Sequence, residues 1–229
     1  MIGLGARLRA GTLALDAGMG TALLARGLVG RAPLWNLARP EEVLAVHRAH
    51  VAAGAQLVLT NTFVGASAEE ASAALRLARE SGAALVGASL WAGLPDLAEQ
   101  IARLAGADVI WLETATSAAQ ALAAVRCARL AVEALAEALP LVITCAMEDA
   151  PLDRLREAGA DAAGYNCSPW PRDARGADVL KLDAAGLSPD AWAAQVARGK
   201  SNGARLVGGC CGTTAAHLAA LQRARATER

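Results

Sequence analysis

Short aliphatic blocks recur along the chain, each followed by a longer stretch whose apolar positions return every three or four residues. The short blocks predict strands and the longer stretches predict helices. Strands are expected at residues 12–17, 57–63, 84–90, 108–113, 141–146, 161–166, 178–182 and 205–208. Helices are expected at 40–53, 68–80, 95–104, 117–138, 152–158, 189–198 and 214–225, with the Pro-rich Ser168-Pro169-Trp170-Pro171 where a further helix would stand. A Gly-Ala-polar phrase (Gly54-Ala55-Gln56, Gly106-Ala107-Asp108, Gly159-Ala160-Asp161, Gly203-Ala204-Arg205) leads into four of the strands. It reads as a helix stop feeding a strand. Strand-then-helix units in this number predict α/β architecture, a (β/α)8 TIM barrel, with an open doubly wound sheet as the alternative. No linker divides the chain, so residues 1–229 are expected to form one domain.

Composition narrows the partners. Apolar residues make up 55% and aromatics only 3%, so the core must be built from Ala, Leu and Val. Lys plus Arg and Asp plus Glu both number 22, leaving no net field to attract nucleic acid or anionic lipid. Arg7 and Arg9 are followed by a short run broken by Asp16, not by a signal-like apolar region. No segment approaches the roughly 18 apolar residues of a spanning helix. The expectation is a cytoplasmic protein that binds neither nucleic acid nor membrane. In such a reducing compartment, five cysteines point to metal binding or catalysis where they cluster.

Gly208-Gly209-Cys210-Cys211-Gly212 is the most informative segment. It follows the eighth strand and precedes a helix with Thr213 and Thr214 as candidate N-caps, on the barrel face where catalytic groups gather. Adjacent cysteines rarely bridge each other, but flanking glycines allow both to face one metal. Cys167, in Asn166-Cys167-Ser168-Pro169 at the end of strand six, lies on the same face and near strand eight. Three thiolates with one open position are the pattern of a catalytic zinc site, and the chain has no CxxC pair of a closed structural one. Cys127 and Cys145 read as small buried apolar residues. His47 and His50, three apart on a helix face, read as solvated or surface-packed, and His217 as structural.

With these residues in place, the chain resembles the homocysteine S-methyltransferase family. The resemblance rests on Leu15-Asp16-Ala17-Gly18-Met19-Gly20-Thr21, Leu34-Trp35-Asn36, Thr60-Asn61-Thr62-Phe63, Leu112-Glu113-Thr114, Asn166-Cys167-Ser168-Pro169 and Val207-Gly208-Gly209-Cys210-Cys211-Gly212-Thr213-Thr214. It implies a (β/α)8 barrel, Zn2+ on Cys167, Cys210 and Cys211, and methyl transfer to the thiol of homocysteine, giving methionine. It further implies that Asp16, the backbone of Ala17 and Gly18, and Glu113 hold the amino and carboxylate groups of homocysteine, with Thr60 and Asn61 lining the pocket. Two carboxylates suit an ammonium, and amides of a Gly-rich turn suit a carboxylate. Ala17 replaces the family's usual glycine. The segment after strand three, Gly87-Ala88-Ser89-Leu90-Trp91-Ala92-Gly93-Leu94, is cut short, and Leu182-Asp183-Ala184-Ala185-Gly186 matches the family's strand-seven exit loosely. The expected donor is therefore large, or delivered to an open barrel mouth by a folate- or corrinoid-carrying partner. Alternative readings are methyl transfer to another thiol or selenol, a non-catalytic zinc- or thiol-binding barrel, and a redox protein using Cys210-Cys211.

Overall fold

The structure, a computed structural model, describes residues 12–167, 174–200 and 203–227. The expected alternation is realised as eight strands: β1 (Leu13–Ala14), β2 (Leu57–Leu59), β3 (Leu85–Trp91), β4 (Val109–Ala115), β5 (Leu141–Cys145), β6 (Ala162–Asn166), β7 (Val179–Leu182) and β8 (Leu206–Gly209). They pair in parallel in the order β1-β8-β7-β6-β5-β4-β3-β2. A parallel bridge between Leu15 and Leu57, and a bond from the Gln56 N–H to the Ala14 carbonyl at 2.8 Å, join the two ends of this series. The sheet thus curls round into the (β/α)8 TIM barrel.

Helices cover the outside: α1 (Met19–Leu24), α2 (Trp35–Ala38), α3 (Pro40–Ala52), α4 (Ala68–Glu80), α5 (Leu97–Arg103), α6 (Ala118–Glu133), α7 (Leu152–Glu157), α8 (Pro189–Lys200) and α9 (Ala215–Thr227). Among the described residues, no helix is long and apolar enough to cross a membrane.

Strand alternation sorts the side chains into two layers. Leu13, Leu15, Leu57, Leu59, Leu85, Val109, Trp111, Val142, Val179 and Leu206 fill the barrel. Ile110, Leu112, Ile143, Leu180 and Val207 point outward and share a second core with the helices. Continuing the inward series toward the C-terminal ends of β3, β4 and β7 gives Ser89, Glu113 and Lys181, so the polar floor of the mouth follows from the same period of two.

The Gly-Ala-polar phrases mark the opposite end, joined there by Gly176-Ala177-Asp178, a phrase of the same kind that was not singled out from sequence. Asp108 accepts from the Val86 N–H at 2.7 Å, Asp161 from Leu141 at 2.7 Å, and Asp178 from Ala163 at 3.1 Å. Each aspartate also meets an arginine of an adjacent helix: Arg79 at 2.5 Å, Arg129 at 2.8 Å and Arg156 at 2.8 Å. Those arginines in turn donate to the carbonyls of Gly106, Gly159 and Gly176. Three repeated clasps therefore tie helix, turn and neighbouring strand at the barrel base.

Several boundaries differ from expectation; the first strand, expected over 12–17, spans only Leu13–Ala14, with Leu15 in a single bridge beyond it. The second strand ends at Leu59 because the Thr60 hydroxyl takes over the Ser89 N–H and the Thr62 hydroxyl donates to the Ser89 carbonyl, replacing ladder bonds by side-chain bonds. The helix expected to run to 138 ends at Glu133. Leu135 and Leu139 then pack against the core on the way to β5. Helices α1 and α2 were not expected, their short runs being flanked by glycines and Pro33. The Pro-rich residues 168–171 lie outside the described residues.

Candidate active site

Cys167 follows β6 in a left-handed conformation, φ +58°. That backbone costs a non-glycine residue on the order of 1–2 kcal/mol, and such strain is retained mainly at functional sites. Its Sγ lies 2.7 Å from that of Cys210 and 3.6 Å from that of Cys211. Cys210 is anchored by its N–H to the Leu182 carbonyl at 2.8 Å, and Gly212, φ +74°, turns the chain away. Gly18 permits the close packing, since a Cβ there would stand 2.6 Å from the Cys210 carbonyl oxygen. The three expected ligands are thus brought together from two strand exits, all sulfurs within 4.8 Å of one another, and no fourth His, Cys, Asp or Glu joins them among the described residues.

This donor set fits a metal. Tetrahedral Zn–S bonds of about 2.3 Å place sulfurs roughly 3.8 Å apart, close to the Cys167–Cys211 span, while the Cys167–Cys210 pair must open by about 1 Å. Asn166 supports the sulfurs from below. Its Oδ1 accepts from the Thr114 N–H at 3.0 Å, and its Nδ2 donates to the Thr114 hydroxyl at 2.8 Å. The same Nδ2 stands 3.6 Å and 3.8 Å from the sulfurs of Cys167 and Cys210. The hydrogen bonds from Cys167 and Cys210 pull the Cys211 thiol down to about 3, and the same sharing drives Cys167 up.

Beneath the sulfurs lies a charged floor. Asp16 is buried, its Oδ2 accepting from the Leu59 N–H at 2.8 Å. Glu113 is buried, its Oε1 accepting from the Ser89 hydroxyl at 2.5 Å. Between them sits Lys181, only 4% exposed, its Nζ donating to the Gly209 carbonyl at 2.9 Å. That ammonium stands 3.2 Å from Asp16 Oδ1 and 3.9 Å from Glu113 Oε2. Burial pushes Glu113 up to about 7 against the pull of Lys181. Burial pulls the Lys181 ammonium down, but Asp16 and Glu113 outweigh it and hold the lysine above its ordinary value. Lys181 was missed from sequence, although one lysine in the apolar run Val179–Leu182 was a visible signal.

The other expected site residues take definite places. Ala17 is buried, and the Gly18 N–H is taken by the Thr213 hydroxyl at 3.3 Å. The Thr60 hydroxyl faces Thr62 at 2.7 Å. Asn61 donates to the Ala32 carbonyl at 2.8 Å and to Asn36 at 3.1 Å, tying the α2 segment to the barrel. All four line a cavity of about 580 Å³ together with Asp16, Glu113, Lys181 and the three cysteines. The β3–α5 connection is as short as expected, residues 92–96. The rim is apolar and exposed, with Leu24 at 61% and Val64 at 46%.

Two minor expectations need correction. His47 and His50 are not surface groups but buried, because they continue the inward series Val43, Val46, His47, His50 of α3. Burial lowers them to about 4 and about 3. Cys127 is exposed, since α6 buries Ala121, Ala124, Val125, Ala128 and Val132 instead. Cys145 is buried as expected, and His217 is structural, meeting Thr214 at 3.0 Å and the Trp192 ring edge-on.

A closed parallel barrel with three thiols and a buried carboxylate pair at its C-terminal mouth defines a barrel enzyme equipped for sulfur chemistry. The family model described as homocysteine S-methyltransferase matches residues 13–102 and 90–225. The chain belongs to that family, enzymes that transfer a methyl group to the sulfur of homocysteine. Among solved structures it is similar to the homocysteine methyltransferase MmuM from Escherichia coli. The apo form matches with TM-score 0.73 and 22% identity over 93% of this chain and 95% of that one. The metallated form gives 0.71 and 21% over 93% and 96%, and the oxidised form 0.72 and 20% over the same shares.

Proposed function

We propose that this methyltransferase works with zinc held by Cys167, Cys210 and Cys211, leaving one position for the acceptor sulfur. The observation carrying this reading is the convergence of three sulfurs within 4.8 Å from two strand exits. The relative MmuM has been seen in a metallated form, which supports it. When bound, zinc supplies the Lewis acidity that keeps an acceptor thiol, ordinarily of pKa about 8.5, deprotonated at neutral pH. The protein's own part is orientation. Asn166 fixes the sulfurs from below, and the mouth aligns the acceptor for in-line attack on a methyl group.

The polar end of the acceptor lies toward Asp16, Ala17, Gly18 and Glu113. Thr60 and Asn61 shape the wall there, their side chains being engaged elsewhere. The short β3–α5 connection and exposed apolar rim favour a large donor, or one carried by a folate- or corrinoid-bearing partner. Clustered free thiols persist most readily in a reducing compartment, which supports a cytoplasmic enzyme. Metal analysis tests the centre: bound zinc should fall from about one per chain to near zero in Cys210→Ala and Cys211→Ala. A stoichiometry that stays near one in either variant overturns the ligand assignment.

A further inference from the structure

The two carboxylates expected to receive the ammonium of an amino-acid acceptor already hold an ammonium. Asp16 and Glu113 each have one oxygen fixed by the scaffold, on the Leu59 N–H and on the Ser89 hydroxyl. Their remaining oxygens converge on Lys181 Nζ, at 3.2 Å and 3.9 Å. That nitrogen is not free to swing away. It is buried, reaches inward from β7 directly above Val179, and donates to the Gly209 carbonyl next to the ligand Cys210. An incoming ammonium would have to share both carboxylates with a like charge in a site shielded from water, which disfavours it.

We propose that Lys181 is a specificity-determining residue that stands in for the acceptor's own ammonium. The pocket thereby extends its range to thiols with a carboxylate but no α-amino group, the mercaptoalkanoates. The proposal rests on the thiol-acceptor reading above. It predicts that removing the amino group from homocysteine costs little here, whereas an ammonium held by two buried carboxylates would be worth far more than tenfold in affinity.

Binding to the zinc-loaded protein tests this without knowledge of the methyl donor. Anaerobic calorimetry would compare homocysteine with 4-mercaptobutanoate, which has the same carbon chain without the amino group. In the wild-type protein the Kd of 4-mercaptobutanoate should be less than ten times that of homocysteine. In Lys181→Met and Lys181→Gln this ratio should rise at least tenfold, because the vacated carboxylates would then reward the substrate's ammonium; comparing ratios cancels the difference in thiol acidity. A wild-type ratio of ten or more overturns the proposal and leaves the thiol-acceptor reading standing. So does a ratio that moves less than tenfold in whichever variants fold, and if neither folds the wild-type ratio decides. Failure of both thiols to bind overturns the two together.

Discussion

Asn166 shows how much a single side chain at the mouth does. One amide joins the left-handed turn at Thr114, φ +62°, to the sulfurs of Cys167 and Cys210. Partners of this kind orient metal ligands, and their loss typically costs about 10–100-fold in metal affinity. Asn166→Ala should therefore weaken zinc binding by about tenfold or more, read by chelator competition, while the barrel remains folded. The three cysteines were legible in sequence because the glycines and strand exits around them are local signals, whereas Asn166 stood there only as a neighbour in the motif and its supporting role was not. Nor was Lys181. Its partners come from β1 and β4, and only the register of the closed sheet places its ammonium between their carboxylates.

Two elements carry predictions of their own. On α3 the imidazoles of His47 and His50 are buried, and no hydrogen bond reaches either ring nitrogen of His47. Burial is the main cause of its low value, with Asp16 pulling the other way and His50 adding to it; Lys181 and Arg26 press on His50. Between the ordinary value of 6.5 and about 4, the unfolded chain binds a proton at His47 that the folded chain refuses. Stability from this residue is thus complete above pH 6.5 and lost as pH falls toward 4, by about 3 kcal/mol. Glu113, raised in the fold, acts in the opposite sense, so the histidine effect is read against a variant. His47→Leu should keep or raise stability at pH 7 and flatten the acid limb of urea unfolding measured from pH 7 to 4.

The clasps at the strand starts are the second element. Asp108→Ala leaves the Val86 N–H and the Arg79 guanidinium without their acceptor, and should cost about 1–3 kcal/mol in urea unfolding with zinc content unchanged. Asp190→Ala breaks only an exposed pair with Arg223 and should cost less than about 0.5 kcal/mol. The Gly-Ala-polar phrases were readable as punctuation, but their aspartates' second role was not, since it depends on arginines 22 to 32 residues away. The end of β2 was misread for a related reason: Thr60 and Thr62 favour strands, yet their hydroxyls compete for the same backbone groups.

At the scale of the molecule the barrel was legible because each strand–helix unit announces itself locally and the closed ring follows from their number. The mouth is less so. The short connection after β3 was visible, but the apolar rim of Leu24, Phe63 and Val64 appears only when separate loops meet. If that rim receives a bulky or protein-borne donor, Leu24→Asp should lower turnover with that donor severalfold and leave calorimetric homocysteine affinity unchanged. Rapid turnover by the purified protein with betaine or S-methylmethionine alone would remove the need for such a donor. The Arg129–Asp161 clasp also has a bearing on how the chain tolerates cutting. It spans the partly exposed connection at residues 146–151, so a polypeptide severed there keeps a complementary latch on each piece. Two separately synthesised fragments, mixed in equal amounts, are expected to reassociate through the β5–β6 pairing together with this clasp.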